Sequence, residues 1–377
     1  MPDYTLKNRI YFLSLFLLIL TLASGCFLNE DSTNSTDEKK YDAATLAGIN
    51  NIFEEVMQKE SIPGILACVW NDGYETLLIT KGKADTASGR DVKNNDSFRI
   101  ASNTKMFTAM AVLMLADQKK IALDEKLSKY LPDIPHAEKV SIRQLADHTA
   151  GYHNYTAVNS FGLAVMANPL KKWTPQELID VIKDEPLDFV PGEKYNYSNT
   201  GYIILGMLVE KVSGVKWENF ITEKILKPLM MNDTYCPLDS NMSGKYMNGY
   251  VVEGTRAVQI TLDPSVAWAA GSIVSNISDT KKWLEALRQG TLISPAMLAE
   301  QRKWIPTETG GTENSYGFGL MMSASQFIGH TGGILGYNSF MFISLDGKKC
   351  VIIIHNVQAG IDESSSKIIK YLGLKNH

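Results

Sequence analysis

Two pairs of apolar runs, one near each end of the chain, predict β-hairpins. Residues 65–80 (ILACVWNDGYETLLIT) contain two β-prone runs around an Asp-Gly pair, and residues 339–355 repeat this arrangement around a second Asp-Gly pair. Asp-Gly between such runs favours a tight hairpin turn. Because the two hairpins can lie side by side, we expect them to share one antiparallel sheet.

The chain between these hairpins has a helical pattern. Residues 106–115 are apolar on nearly all sides, which predicts a buried helix. Thr174, Pro175 and Glu177 occupy the N-cap, N1 and N3 positions of another helix. Three more helices are predicted over residues 199–212, over residues 278–288 with Ser278 as N-cap, and after Ile361. We therefore expect an α+β fold (an α/β sandwich), with an antiparallel β-sheet flanked by helices and a mostly helical lobe inserted within about residues 105–265.

The N-terminal residues 1–25 have the pattern of a secretory signal peptide. Lys7 and Arg9 precede an apolar stretch at 10–23, which is shorter than the roughly 20 residues that a membrane-spanning helix needs. The stretch ends in LASGC, which is similar to a bacterial lipobox with Cys26 as the lipidated residue. An ordinary cleavage site with an incidental cysteine is the alternative.

The order of segments predicts how the chain is exported and anchored. Residues 26–44 are polar and are expected to form a lipidated tether. Residues 45–377 then form the folded domain. We expect an exported protein of the cell envelope, attached to a membrane through its N-terminal lipid.

Composition and cysteine spacing exclude several kinds of partner. The net charge is −4 and no long basic run occurs, which argues against nucleic acid. Cys68, Cys236 and Cys350 lie far apart, and at least the first and last are expected to be buried free thiols. Without a C-x-x-C spacing, the sequence predicts no metal site and no cofactor.

The candidate nucleophile comes from a Ser-x-x-Lys motif. This spacing places a hydroxyl and an amine on one face of a helix, where a buried lysine can lose its charge and accept a proton. The pattern occurs four times: Ser102/Lys105, Ser213/Lys216, Ser278/Lys281 and Ser364/Lys367. Only the first pair opens a strongly apolar helix that would bury its lysine. Taken alone, Ser102 could equally be an N-cap, with Lys105 extending to water.

Two further motifs give this pair its context. Tyr197-Ser198-Asn199 opens an apolar helix, and the segment HTGG at 330–333 precedes the last hairpin. In this order and spacing the chain resembles the serine penicillin-recognising family. It is most similar to the branch of class C β-lactamases, D-alanyl-D-alanine carboxypeptidases and related esterases. The resemblance covers about residues 45–375 and includes FRIASNTK at 98–105, VPGEKYNYSNTGYIILG at 190–206 and GHTGGILGYNS at 329–339.

The resemblance implies three catalytic residues. Ser102 attacks the substrate carbonyl, and Lys105 together with Tyr197 moves the proton. Two cationic neighbours are expected to favour the phenolate form of Tyr197, which would then act as the base for the incoming water. The acyl group is carried on Ser102 between the two halves of the reaction.

The resemblance also implies a set of substrate-binding residues, namely Asn199, His330, Thr331, Gly332 and Gly333. Asn199 is expected to bind the substrate amide, and the backbone N–H groups of Ser102 and Gly333 to form an oxyanion hole. His330 stands where family β-lactamases usually have lysine. Since histidine is partly charged at neutral pH, carboxylate binding is expected to strengthen on mild acidification. His148 is interpreted as structural, binding backbone groups in a turn.

The leading functional hypothesis is D-alanyl-D-alanine carboxypeptidase-like hydrolysis of a peptidoglycan-type peptide. A β-lactamase acting on β-lactams and an esterase use the same machinery and remain alternatives, although His330 favours a peptidase or esterase. A D-amino-acid peptidase or amidase acting on a secreted metabolite is a further alternative. A non-catalytic protein that binds cell-wall peptides is the alternative from another class.

Overall fold

The structure is a computed structural model that describes residues 38–307, 314–324 and 326–374. The predicted signal peptide, the predicted lipidation site Cys26 and most of the predicted tether lie outside these residues. From Lys40 onward the described residues form one unit. None of the helices in the described ranges has both the length and the apolar character needed to cross a membrane.

The described strands are β1 (Gly64–Asn71), β2 (Leu77–Asp85), β3 (Arg90–Asp91), β4 (Phe98–Arg99), β5 (Gly249–Glu253), β6 (Arg256–Ile260), β7 (Val274–Ser275), β8 (Ile305–Pro306), β9 (Ser315–Tyr316), β10 (Met321–Ser323), β11 (Phe327–Ile334), β12 (Tyr337–Ser344) and β13 (Lys349–His355). Nine of them form a single antiparallel sheet with the order β3-β2-β1-β13-β12-β11-β10-β9-β8. Strands β4 and β7 form one small pair, and β5 and β6 form another.

Both predicted hairpins are present and share this sheet. Strand β1 pairs with β2 on one side and with β13 on the other, so that Cys68 lies opposite Ile352. Gly73 and Gly347 have φ values of 80° and 75°, which the Asp-Gly turns require and which glycine adopts without strain. The N-terminal and C-terminal hairpins are therefore neighbours in one sheet, which confirms the predicted antiparallel sheet.

Helices cover both faces of the sheet. They are α1 (Ala43–Glu60), α2 (Thr104–Asp117), α3 (Ile142–Ala146), α4 (Asn159–Ala167), α5 (Pro175–Asp180), α6 (Asn199–Ser213), α7 (Trp217–Ile221), α8 (Ile277–Gln289), α9 (Pro295–Gln301) and α10 (Ile361–Tyr371). Ile353 of β13 packs in the core with Phe53 of α1 and Ile368 of α10. Its neighbour Ile352 packs in the opposite core with Phe107 of α2. This alternation confirms the α/β sandwich, because successive strand residues point to opposite faces.

The predicted helices are found, with one correction at a cap. Helix α2 is buried almost throughout, and Thr174 and Glu177 form the expected capping box at α5. Ser278 is not the N-cap of α8. The helix begins at Ile277, and the Asn276 side chain accepts from the Asp279 N–H at 2.9 Å. Asparagine supplies the same acceptor as serine, so the helix starts two residues earlier than predicted.

The cysteines of the described residues are free thiols. Cys68 and Cys350 are buried in the sheet, as predicted, and Cys236 is half-buried. Burial raises the pKa of the Cys68 thiol to about 11. These thiols therefore act as small apolar side chains.

Candidate active site

Ser102 lies in a single 3₁₀ turn, Ala101–Asn103, between strand β4 and helix α2. Strand β11 passes very close to this turn. A Cβ atom built on Gly332 would lie 2.4 Å from the carbonyl oxygen of Ile100 and 3.0 Å from Cβ of Ala101. Only glycine permits this approach, so the role of Gly332 is to let strand β11 lie directly beside Ser102.

The amino group of Lys105 lies beneath Ser102, at the start of α2. Its Nζ atom is 2.9 Å from the Oγ atom of Ser102. Two other oxygen atoms complete its surroundings, the Oδ1 atom of Asn199 at 2.8 Å and the carbonyl oxygen of Ala270 at 2.9 Å. The side chain is fully buried, as predicted, and burial lowers the pKa of Lys105 well below the ordinary lysine value.

A neutral amine matches these three partners. It has two N–H bonds and one lone pair. The oxygen atoms of Asn199 and Ala270 can only accept, so they take the two N–H bonds. The lone pair is then directed at the Ser102 hydroxyl, which can donate. The arrangement can therefore deprotonate Ser102 without first removing a proton from lysine.

Tyr197 completes the group on the other side of Ser102. Its hydroxyl interacts with the Ser102 side chain, and its ring centre is 5.0 Å from Nζ of Lys105. The predicted phenolate is wrong, because burial raises the pKa of Tyr197 far above its usual value. The expected cationic support is also weakened, since burial lowers the pKa of Lys105 and so disfavours its charged form. Tyr197 is a proton donor in the resting site.

Asn199 connects Lys105 to a loop that the sequence analysis overlooked. Its Nδ2 atom donates to the Thr156 hydroxyl at 2.9 Å, while its backbone N–H donates to Oδ1 of Asn154 at 3.1 Å. The Thr156 hydroxyl in turn donates to the same Asn154 oxygen at 3.0 Å. This network fixes the orientation of the Asn199 amide, so that its oxygen faces Lys105. One Nδ2 hydrogen remains for a substrate carbonyl.

His330 differs most from the sequence-based expectation. Its side chain is 1% exposed, and its Nε2 atom is 2.9 Å from the Tyr316 hydroxyl. Its Nδ1 atom bonds the carbonyl oxygen of Thr331. Burial lowers the pKa of His330 to about 3, and the predicted partial charge at neutral pH is therefore wrong. His330 lies behind the cleft and does not reach its wall.

His148 has the structural role that the sequence predicted. Its Nδ1 atom accepts from the Ser198 N–H at 3.2 Å, and its carbonyl oxygen accepts from the Asn196 N–H at 2.9 Å. Its ring centre is 4.3 Å from the ring centre of Tyr197. These contacts orient the segment that carries Tyr197.

Backbone strain occurs around this site, as it does at five other non-glycine positions of the described residues. Three non-glycine residues with positive φ border it: Ala101 at 50°, His148 at 62° and Trp268 at 32°. Ala101 directly precedes Ser102, and His148 packs against Tyr197. Trp268 begins the turn that ends at Ala270. Such conformations cost about 1–3 kcal/mol each and persist only where the surrounding packing enforces them.

The cleft above Ser102 has a volume of about 620 Å³. Its walls are formed by Ser102, Thr156, Tyr195, Asn196, Tyr197, Asn199, Met321, Thr331, Gly333 and Gln358. No charged side chain occurs among these wall residues, which all belong to the described part of the chain. Thr331 and Gly333 are where the sequence placed them, whereas Thr156, Met321 and Gln358 carry no local signal. Tyr195 and Asn196 directly precede the Tyr-x-Asn motif and could have been included with it.

A comparison with known protein families agrees with this geometry. The family described as Beta-lactamase matches residues 49–371. The chain belongs to this family. The resemblance inferred from the three motifs is therefore confirmed, and the protein is a serine hydrolase of the beta-lactamase and penicillin-binding-protein family.

Individual family members show the range of activities. A penicillin-binding protein of Bacillus subtilis is 27% identical over 332 residues, which cover 82% of this chain and 71% of that protein. The crystal structure of a D-stereospecific amidohydrolase from Streptomyces has a TM-score of 0.78 and 29% identity, with 88% of this chain and 99% of that chain covered. The D-amino acid amidase of Ochrobactrum anthropi has a TM-score of 0.75 and 26% identity over the same shares.

Proposed function

We propose that Ser102 is the nucleophile of an acyl-transfer hydrolase and that neutral Lys105 is its base. Lys105 takes the proton from the Ser102 hydroxyl while Oγ forms a bond to the substrate carbonyl carbon. The carbonyl oxygen becomes an oxyanion, which the N–H groups of Ser102 and Gly333 stabilise. Tyr197 donates its proton to the leaving amine as the C–N bond breaks, and the Lys105 ammonium returns a proton to Tyr197.

Hydrolysis of the acyl-enzyme follows the same path in reverse. A water molecule in the cleft attacks the ester carbonyl and passes a proton through Tyr197 to Lys105. The Ser102 oxygen then leaves as the tetrahedral intermediate collapses, and it regains its proton from Lys105. The hydrogen bonds of Lys105 to Ser102 and Asn199 support this proposal, because they hold the base in place throughout.

For the substrate, we propose an amide or ester of a D-amino acid, or a short D-peptide, without a free carboxylate near the scissile bond. The uncharged wall of the cleft carries this proposal. A carboxylate moved from water into such a cleft loses hydration without gaining a cationic partner. The D-amino acid amidase and the D-stereospecific amidohydrolase among the similar structures support the same substrate class.

A matched pair of substrates tests this proposal. D-phenylalanyl-D-alaninamide and D-phenylalanyl-D-alanine differ only in the terminal carboxylate. We expect kcat/KM for cleavage of the D-Phe–D-Ala bond to be at least about tenfold higher for the amide, equivalent to about 1.4 kcal/mol. The L,L pair is the stereochemical control. Faster cleavage of the free acid would show that the protein is a carboxypeptidase instead.

Carboxypeptidase activity is the second candidate function. Its support is the similarity to a penicillin-binding protein, together with two neutral donors in the cleft wall, the Thr331 hydroxyl and the Gln358 amide. These groups can hydrogen-bond a carboxylate, although more weakly than a cation does. D-alanine release from a muramyl pentapeptide analogue would favour this candidate over an amidase.

We also propose that the protein is exported and held at the cell envelope by a lipid on Cys26. The basic start, the short apolar stretch and the LASGC sequence support this location. In a bacterial host the full chain is expected to incorporate labelled palmitate and to sediment with membranes. The Cys26→Ala variant should lose both properties, and equal labelling of the two proteins would contradict the anchor.

A further inference from the structure

Arg99, three residues before Ser102, is a buried cation that forms no ion pair with any of the described residues. Its side chain is 3% exposed. Nη2 donates to the carbonyl oxygen of Leu262 at 2.9 Å, while Nη1 has no hydrogen-bond partner among the described residues. The nearby Arg90 shows the usual arrangement, since its Nη1 contacts both oxygens of the buried Asp96 at 2.7 and 3.0 Å.

Arg99 is one of the residues that line a small polar cavity of about 120 Å³. Arg99 is the only charged residue among those that line it, and the described lining residues include the neutral hydrogen-bonding side chains of Asn248, Gln259 and Thr261. Asp263 is the acidic residue whose charge acts on Arg99, but its Oδ1 atom already accepts from the N–H and hydroxyl of Ser265. The cavity is large enough for several water molecules or for a small anion.

An unpaired buried charge is costly. A buried ion that lacks a partner is strongly destabilising, and arginine cannot escape this cost by losing its proton. A guanidinium with one free Nη group beside neutral donors is suited to an oxyanion, which accepts several hydrogen bonds and supplies the missing charge.

We propose that this cavity is an anion-binding site, in which a small oxyanion, either a carboxylate or a phosphate group, is bound by Nη1 of Arg99. The site is separate from the catalytic cleft, whose wall does not include Arg99. Its occupant acts on strand β4, which leads directly into the turn that carries Ser102. The next carbonyl, that of Ile100, accepts from Nδ2 of Asn103 at 3.1 Å and from Oγ of Ser339 at 3.0 Å. Anion binding therefore stabilises the segment that positions the nucleophile.

Thermal unfolding in the presence of two probes tests the proposal. Sodium acetate and sodium phosphate are each titrated into the protein, with sodium chloride keeping the ionic strength constant. We expect the Tm of the wild type to rise by several degrees and to saturate with at least one probe, because a ligand that binds only the folded state stabilises it. A response to acetate alone identifies a carboxylate site, and a response to phosphate alone identifies a phosphate site.

Three variants distinguish this site from general salt effects. Arg99→Gln should abolish the saturable rise in Tm, whereas Arg256→Gln, on the exposed edge of β6, should keep it. If Arg99→Gln does not fold, Gln259→Trp places a larger side chain at an exposed position of the cavity lining while Arg99 is kept, and it should also lose the response. The proposal is overturned if neither probe shifts the wild-type Tm, if chloride alone gives the same shift, or if the Gln259→Trp variant responds like the wild type.

Discussion

Replacing Lys105 with methionine is expected to lower kcat/KM by about 10³-fold or more, within the range seen when general acid–base help is lost. The methionine side chain fills nearly the same volume but has no lone pair to take the Ser102 proton. Covalent labelling by a fluorophosphonate probe should fall in parallel, as it should in Ser102→Ala. Full labelling of the methionine variant would show that Lys105 is not the base.

The matched control comes from another copy of the same motif. Lys216 stands three residues after Ser213, but its side chain is 70% exposed and pairs with Glu210. Lys216→Met should therefore retain wild-type activity and labelling. If the wild type is not labelled under any condition, the chain would instead bind its ligands without acyl transfer.

The stability of the Lys105 variant provides an independent test of the neutral lysine. Because the pKa of Lys105 is lowered in the folded state, the unfolded chain binds more protons at neutral pH than the folded chain. Wild-type stability should therefore rise as the pH increases towards the ordinary lysine pKa of about 10.4. Lys105→Met lacks this contribution, so the Tm difference between wild type and variant should shift in favour of the wild type with increasing pH. A difference that is independent of pH would mean that Lys105 is charged in the folded protein.

Replacing Tyr197 with phenylalanine is expected to slow the hydrolysis of amides by about a hundredfold or more. The ring and its packing against His148 are retained, whereas the hydroxyl beside Ser102 is lost. An amide needs a proton on its leaving nitrogen, but a p-nitrophenyl ester releases a stable anion. The acylation rate should therefore fall much more for the amide than for the ester, and single-turnover kinetics can measure both.

Tyr195→Phe is the control for this experiment, because Tyr195 lines the same cleft next to the motif. Loss of the Tyr195 hydroxyl should lower the acylation rates of the amide and the ester equally, by less than tenfold. Equal losses for amide and ester in Tyr197→Phe would instead indicate that Tyr197 only positions its neighbours. In the wild type, the pH profile of kcat/KM should show no ionisation of the Tyr197 hydroxyl between pH 7 and about 10, since burial keeps the Tyr197 pKa above its usual value.

The sequence by itself determined the main helices and strands and the motifs that contain Ser102, Lys105, Tyr197 and Asn199. Alternating apolar runs around Asp72-Gly73 and Asp346-Gly347 defined the hairpins, since turn chemistry and strand periodicity are local properties. The order of Ser102, Tyr197 and the 330–333 segment identified the family, because residue types and their spacing can be read directly from the sequence.

Only the tertiary structure decided the protonation states and the remaining partners. The carbonyl of Ala270 and the hydroxyl of Thr156 come from distant turns without sequence signals, yet they bind Lys105 and Asn199. The lowered pKa values of Lys105 and of the buried His330 likewise depend on what packs around these side chains. The free energy of a charge is set by the water that folding removes and by the partners that folding supplies, and both are contributed by segments far apart in the sequence.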